Sequence, residues 1–203
     1  MKKLPHSFYL HDDVVAIARQ LLGKVLVTEF DGERTSGRIV ETEAYAGITD
    51  KASHASKGKT PRTSVLFHTG GTAYIYLCYG IHQMFNIVTG PAETAHAVLI
   101  RAAEPLEGSD IMLRRSGKKL LDETITRGPG NVGRAFGFHT SQTGQSLLSD
   151  TMFLADDGHS LDPATIAVSA RIGVAYAGAD ALRPYRFYNN SSRYVSGKKT
   201  VLY

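Results

Sequence analysis

The segment Glu41-Thr42-Glu43-Ala44-Tyr45 sets two carboxylates and a phenol at alternate positions, so on an extended strand all three point to one face. That face is unusually acidic for a core. It reads either as a solvated sheet face or as a reactive one. The run Arg38-Ile39-Val40 just upstream calls for burial on both faces, where an unpaired carboxylate is expensive and therefore functional. The chemistry available to such carboxylates is proton transfer with water and stabilisation of developing positive charge. On a strand the Cβ atoms of Glu41 and Glu43 lie roughly 7 Å apart, within the about 6.5–9.5 Å between the carboxyl groups of inverting sugar hydrolases.

Four of the ten tyrosines, Tyr45, Tyr74, Tyr76 and Tyr79, form a second group. Core packing with hydroxyls at the surface is one reading. By alternation, however, Tyr74 and Tyr76 share a face and Tyr79 sits at a hairpin tip, where an aromatic ring gains little from its own fold. Exposed aromatics near basic residues are what base stacking requires. By residue type alone His54 is a loop histidine. Cys78, His68 and His82 lack a ligand spacing, so neither a metal nor a cofactor is expected.

The elements that position these groups read as follows. Asp12 or Asp13 caps a helix whose apolar residues Val14, Ile17, Ala18, Leu21 and Leu22 have helical spacing, with Gly23 to stop it. Lys24 to Phe30, the dipeptide Asp31-Gly32 and Arg34 to Tyr45 read as a β-hairpin. Thr72 to Cys78 and Gln83 to Val88 form a second, turning through Tyr79-Gly80-Ile81-His82, and a strand follows from Ala97 to Arg101. Between the hairpins, Ala46 to Gly71 shows no period and reads as a long surface loop. A helix is expected over Ser109 to Leu121 and a short one over Asn131 to Phe136, after a turn at Gly128-Pro129-Gly130. Ile166 to Val174 and Arg186 to Tyr188 are short apolar runs.

The chain has 203 residues with 23 Lys and Arg against 19 Asp and Glu, a formal charge of +4. This length predicts one domain, residues 1–203, and 42% hydrophobic residues fill its core, which excludes general disorder. The mild basic bias is compatible with a nucleic-acid partner. The single cysteine, Cys78, predicts a reducing intracellular compartment, which in a bacterial source would be the cytoplasm or nucleoid. No stretch approaches the ~18 apolar residues of a membrane span, so no membrane partner is expected.

The blocks GRIVETEAY (Gly37 to Tyr45), DKASH (Asp50 to His54), TPR (Thr60 to Arg62) and YIYLCYG (Tyr74 to Gly80) recur in order and spacing with Asn86. AVLIRAAEPLEG (Ala97 to Gly108), GPG (Gly128 to Gly130), ARIGV (Ala170 to Val174) and RFY (Arg186 to Tyr188) complete the set. Together they resemble the alkyladenine, or 3-methyladenine, DNA glycosylase family over about Leu21 to Ser196. The resemblance implies a mixed α/β (α+β) single domain around a curved antiparallel β-sheet, with a protruding β-hairpin and peripheral helices. It implies that Glu43 activates the hydrolytic water while Arg101 and the backbone at Ile172 hold it. Tyr45, His54 and Tyr76 would sandwich a flipped base, with Ala52 and Leu99 also in the pocket and Asn86 screening the base edge. Tyr79 would enter the duplex, with Gly80, Ile81, Gly130 and Arg134 also at the DNA.

Family members often carry a methionine after the Tyr-Gly of the hairpin and a lysine after the GP-turn; this chain has Ile81 and Asn131. Ile81 keeps an apolar wedge, whereas Asn131 removes a phosphate contact. The activity so implied is a monofunctional glycosylase of base excision repair acting on alkylated or deaminated purines in double-stranded DNA, as a monomer. Two other classes compete: a nucleoside or glycan hydrolase using Glu41 and Glu43, and a noncatalytic nucleic-acid-binding module.

Overall fold

The computed structural model describes residues 1–198. Its elements in chain order are β1 (Lys2–Lys3), α1 (His6–Tyr9), α2 (Val14–Gln20), β2 (Val25–Phe30), β3 (Glu33–Ala46), β4 (Thr72–Cys78) and β5 (His82–Thr89). There follow β6 (His96–Glu107), α3 (Ser109–Ser116), α4 (Pro129–Ala135), β7 (Met152–Asp156), β8 (Ile166–Ser169) and β9 (Arg186–Asn189). The strands form one antiparallel sheet in the order β1-β7-β2-β3-β6-β5-β4, with β9 paired to β3 and β8. This is the mixed α/β architecture expected, a curled sheet with helices at its periphery.

Local chemistry explains the elements that the sequence foretold. Asp13 caps α2 by accepting from the Val15 and Ala16 amides, both at 2.9 Å. The helix buries Val14, Ile17 and Ala18 in the same core as Ile39, Ala44, Val98 and Ile100 of the sheet. The first hairpin turns through Asp31 and Gly32, both at positive φ (55° and 75°), the backbone of a type I′ turn.

Several expectations need correction. The 46–71 segment is not a surface loop: three short 3₁₀ turns shape it, and Asp50, Ala52, Ala55, Leu66 and Phe67 are buried. α3 ends at Ser116 because Gly117 takes a left-handed φ of 66°, leaving Lys118 to Leu121 outside the helix. The strand begun near Ala97 runs on to Glu107, and the Ile166 run is a strand only as far as Ser169. His82 pairs with Cys78 as the first residue of β5, so the tip is Tyr79-Gly80-Ile81 alone. Pro129 is not in a turn but is the first residue of α4. β7, which sits between β1 and β2, was not anticipated.

Candidate active site

β3 changes neighbour halfway along. Up to Arg38 it pairs with β2; its register against β6 then shifts around Glu41, and from Glu41 to Glu43 the edge vacated by β2 is taken by β9. A bulge of this kind bends a strand and re-aims its side chains. The result is that Glu41 and Glu43, flanked on both edges, are completely buried. The solvated reading of this face is excluded.

The two carboxylates have different surroundings. Glu41 is saturated: its Oε1 accepts from Arg101 Nε and Arg186 Nε, both at 2.8 Å, and from the Ser196 hydroxyl at 3.0 Å, while Oε2 accepts from the Ser196 amide at 2.6 Å. Glu43 accepts from the Ile172 amide at 2.8 Å and from the Tyr45 hydroxyl at 2.8 Å, with Arg101 Nη1 at 3.4 Å. Burial, reinforced by Glu43, raises the Tyr45 phenol well above its ordinary value, so it remains a donor. Burial opposes the Arg101 charge, but Glu43 and Glu41 outweigh it and hold the guanidinium protonated. All three partners of Glu43 line a cavity of about 520 Å³, and Glu43 itself is completely buried behind them.

The cavity collects most of the sequence-expected residues. Tyr45, Ala52, His54, Tyr76, Asn86 and Leu99 line it, as do Arg101, Ile172, Tyr74 and Tyr79. His54 packs edge-on to Tyr76, with ring centroids 4.5 Å apart, and its Nδ1 lies 3.0 Å from the Tyr74 hydroxyl. Burial, followed by the nearby Arg62 and Lys57 charges, lowers the His54 pKa, so the ring is neutral at neutral pH. Asn86 donates both amide hydrogens, to Tyr74 O and Met84 O at 3.1 Å each, which clamps it and leaves its Oδ1 for the cavity.

At the mouth stands the β4–β5 tip. Tyr79 is 91% exposed and holds a left-handed φ of 51°, and Ile81 and Leu77 are exposed beside it. The hairpin is braced from below by α4: a Cβ at Gly133 would fall 1.9 Å from Gln83 O, so only glycine permits this approach. Of the remaining expected residues, Ile81, Gly130 and Arg134 line a separate depression of about 370 Å³, and Gly80 is exposed at the tip. Asn131 is turned inward, donating to Thr124 O and Arg127 O.

Sequence reasoning missed four participants. Tyr176 lines the cavity and donates to Ala52 O at 3.0 Å; no pattern marked it. Arg62 lines it too, 5.6 Å over the Tyr76 ring; it stands in the TPR block but received no role. The fully buried pair Asp50 and Arg171 ties the walls together. Arg171 Nη2 donates to Asp50 Oδ1 at 2.8 Å, its Nη1 to Asp50 and to Ala44 O, and its guanidinium lies 4.8 Å from the Tyr45 ring. Asp50 in turn accepts from the Ala46 and Ala52 amides. Both residues fall inside quoted motifs, DKASH and ARIGV, yet nothing local pairs them.

A sequence profile described as Methylpurine-DNA glycosylase matches residues 7–193. A protein of Desulfitobacterium hafniense is 42% identical over 206 residues, covering 98% of this chain and all of that one. One of Chlamydia abortus is 47% identical over 186 residues, 91% of this chain and 96% of that one. One of Methanocella arvoryzae is 43% identical over 196 residues, 97% and 96% of the respective chains. All three bear the name "Putative 3-methyladenine DNA glycosylase". With the profile spanning nearly the whole chain and relatives of matching length, the chain belongs to the methylpurine-DNA glycosylase family, hydrolases of N-glycosyl bonds in DNA.

Proposed function

We propose that this protein removes alkylated or deaminated purines of the 3-methyladenine, hypoxanthine and ethenoadenine class from duplex DNA. The base is flipped into the aromatic cavity and its N-glycosidic bond is hydrolysed by a water that Glu43 activates, leaving an abasic site. The observation that carries this reading is Glu43, completely buried and hydrogen-bonded to residues that line an aromatic cavity, with the exposed Tyr79 also lining it. Extrusion costs a few kcal/mol of stacking and pairing, which an inserted side chain partly offsets. Bond cleavage builds positive charge on the sugar. Glu43 stabilises that charge and takes the water's proton, while Arg101 and the Ile172 backbone orient carboxylate and water. Alkylated purines already carry positive charge and are held by the π-faces of Tyr45 and Tyr76. Among the described residues, arginines but no lysine line the cavity, which supports water rather than a Schiff-base amine as the nucleophile.

The rival classes fit less well. A two-carboxylate sugar hydrolase needs Glu41 free, and its oxygens are taken by four bonds from Arg101, Arg186 and Ser196. A noncatalytic binder has no use for a buried carboxylate beside a nucleic-acid surface. No helix among the described residues is long and apolar enough to cross a membrane. The function is tested by incubating the protein with duplexes carrying one hypoxanthine, ethenoadenine or 3-methyladenine and revealing abasic sites with alkali. Intact strands on all three, with free nucleoside cleaved instead, would overturn it.

Two substitutions follow from this geometry. Tyr79→Ser is expected to reduce excision from a paired duplex by an amount matching roughly 1–3 kcal/mol of lost stacking, with little change in melting temperature because the side chain is almost fully exposed. The defect should shrink on a mismatched lesion, where extrusion is cheaper; an equal defect on both would remove the wedge role. For Asn86→Ser, removing the clamped carboxamide opens the space where guanine carries its exocyclic amine. The excision ratio of guanine-derived bases to hypoxanthine should therefore rise, and an unchanged ratio would take Asn86 out of the specificity filter.

A further inference from the structure

The chain following β9 does not simply run off the molecule. Val195 is buried with Ala167 and Tyr188, and Ser196 is held at every polar atom. The Ser196 amide donates to Glu41 Oε2 at 2.6 Å, and its carbonyl accepts from Arg186 Nη2 at 2.6 Å. Its hydroxyl donates to Glu41 Oε1 at 3.0 Å while accepting from Arg101 Nη2 at 3.1 Å. Arg101 is thus fixed through Nε and Nη2, which leaves Nη1 as the edge turned to Glu43 at 3.4 Å. The next residue, Gly197, lies at φ +66°, and a Cβ there would fall 2.6 Å from Ile172 Cδ1. Consecutive residues of one segment therefore hold the Arg101 guanidinium and pass against the Ile172 side chain, and that segment lies beyond residue 193, where the family profile ends.

We propose that the segment 194–197 is a strap that completes the catalytic centre. Ser196, bridging the buried anchor Glu41 to Arg101, is a positioning residue for the guanidinium, and Gly197, at a left-handed φ, carries the strap past the Ile172 side chain. The proposal rests on the assignment of Arg101 and Ile172 to the hydrolytic water. Displacements of about 1 Å in such a site cost up to about a hundredfold in rate without loss of binding contacts.

The test uses the full chain and a duplex carrying one hypoxanthine. Single-turnover excision, Kd for the lesion duplex and Tm are measured for Ser196→Ala, Ser196→Thr, Gly197→Ala and Arg101→Ala. Ser196→Ala is expected to lose about ten- to a hundredfold in excision rate at unchanged Kd, and Ser196→Thr, which keeps the hydroxyl, to recover most of it. Gly197→Ala should lose rate in the same way with the Ser196 bonds intact, and it carries the test should Ser196→Ala fail to fold. Wild-type rates in both Ser196→Ala and Gly197→Ala overturn the proposal, as does a rate loss that follows Kd and Tm and that Ser196→Thr does not restore. If Arg101→Ala itself excises at the wild-type rate, the reading of the active site falls; if it is slow while Ser196→Ala and Gly197→Ala are fast, the strap alone falls.

Discussion

Glu43→Gln is expected to lower single-turnover base release by about 10²–10⁴-fold while lesion-duplex affinity and Tm survive. The amide is isosteric, its oxygen can still accept from the Ile172 amide, and the Tyr45 hydroxyl can reverse to accept from the new NH₂. What is lost is the capacity to take a proton from water and the negative charge facing the sugar. The check is alkali cleavage of a hypoxanthine duplex alongside a binding assay. Release within about tenfold of wild type would fall short of a general base's typical contribution, and a loss matched by weaker binding would show that Glu43 holds substrate.

Asp50→Ala should produce the largest loss of stability. Arg171 would remain as an uncompensated buried cation, and breaking such a pair costs about 3–5 kcal/mol, or roughly 6–20 °C in Tm for a domain of this size. Burial alone would raise the Asp50 pKa, but Arg171 and the Ala46 and Ala52 amides outweigh it and hold the carboxyl below the usual range. Its stabilisation is therefore present above the unfolded-state pKa of about 3.9 and is lost as pH falls through the folded-state value. The Tm gap between wild type and Asp50→Ala should accordingly be widest near neutral pH and narrow on acidification. Replacing Arg171 as well, by Met, should restore part of the loss. Melting curves at several pH values decide this; a constant gap would place the effect elsewhere.

The parts of the fold that local chemistry dictates were legible in the sequence. Asp13 announces α2, Asp31-Gly32 closes the first hairpin, and alternation puts Tyr74 and Tyr76 on one face. The site was legible as a set of motifs, and the structure brings nine of the residues to which the resemblance gave a role into one cavity. The division of labour between Glu41 and Glu43 was not, because it depends on Arg186 and Ser196, 145 and 155 residues further on. The same distance hid the burial of the 46–71 segment: a stretch rich in Gly, Ser and Lys is drawn inward by Asp50 finding Arg171, 121 residues away. β7 escaped notice because five residues among serines and aspartates carry no period of their own; it becomes a strand only between β1 and β2.

The partner exchange of β3 at its bulge also governs how the molecule opens. Residues 41–43 pair with β6 on one edge and β9 on the other and are completely buried, so their amides are expected to be released only at the high end of the opening free energies, near global unfolding. The tip at Tyr79-Gly80-Ile81 is tied at its base by the Cys78–His82 pairing, and its side chains touch little. The residues proposed to break the bond and those proposed to enter the duplex thus belong to opposite ends of the local stability scale. Substitutions at the tip, and with them the proposed entry into the duplex, are therefore expected to leave untouched the cooperativity that keeps the buried carboxylates in place, so the two properties can change separately.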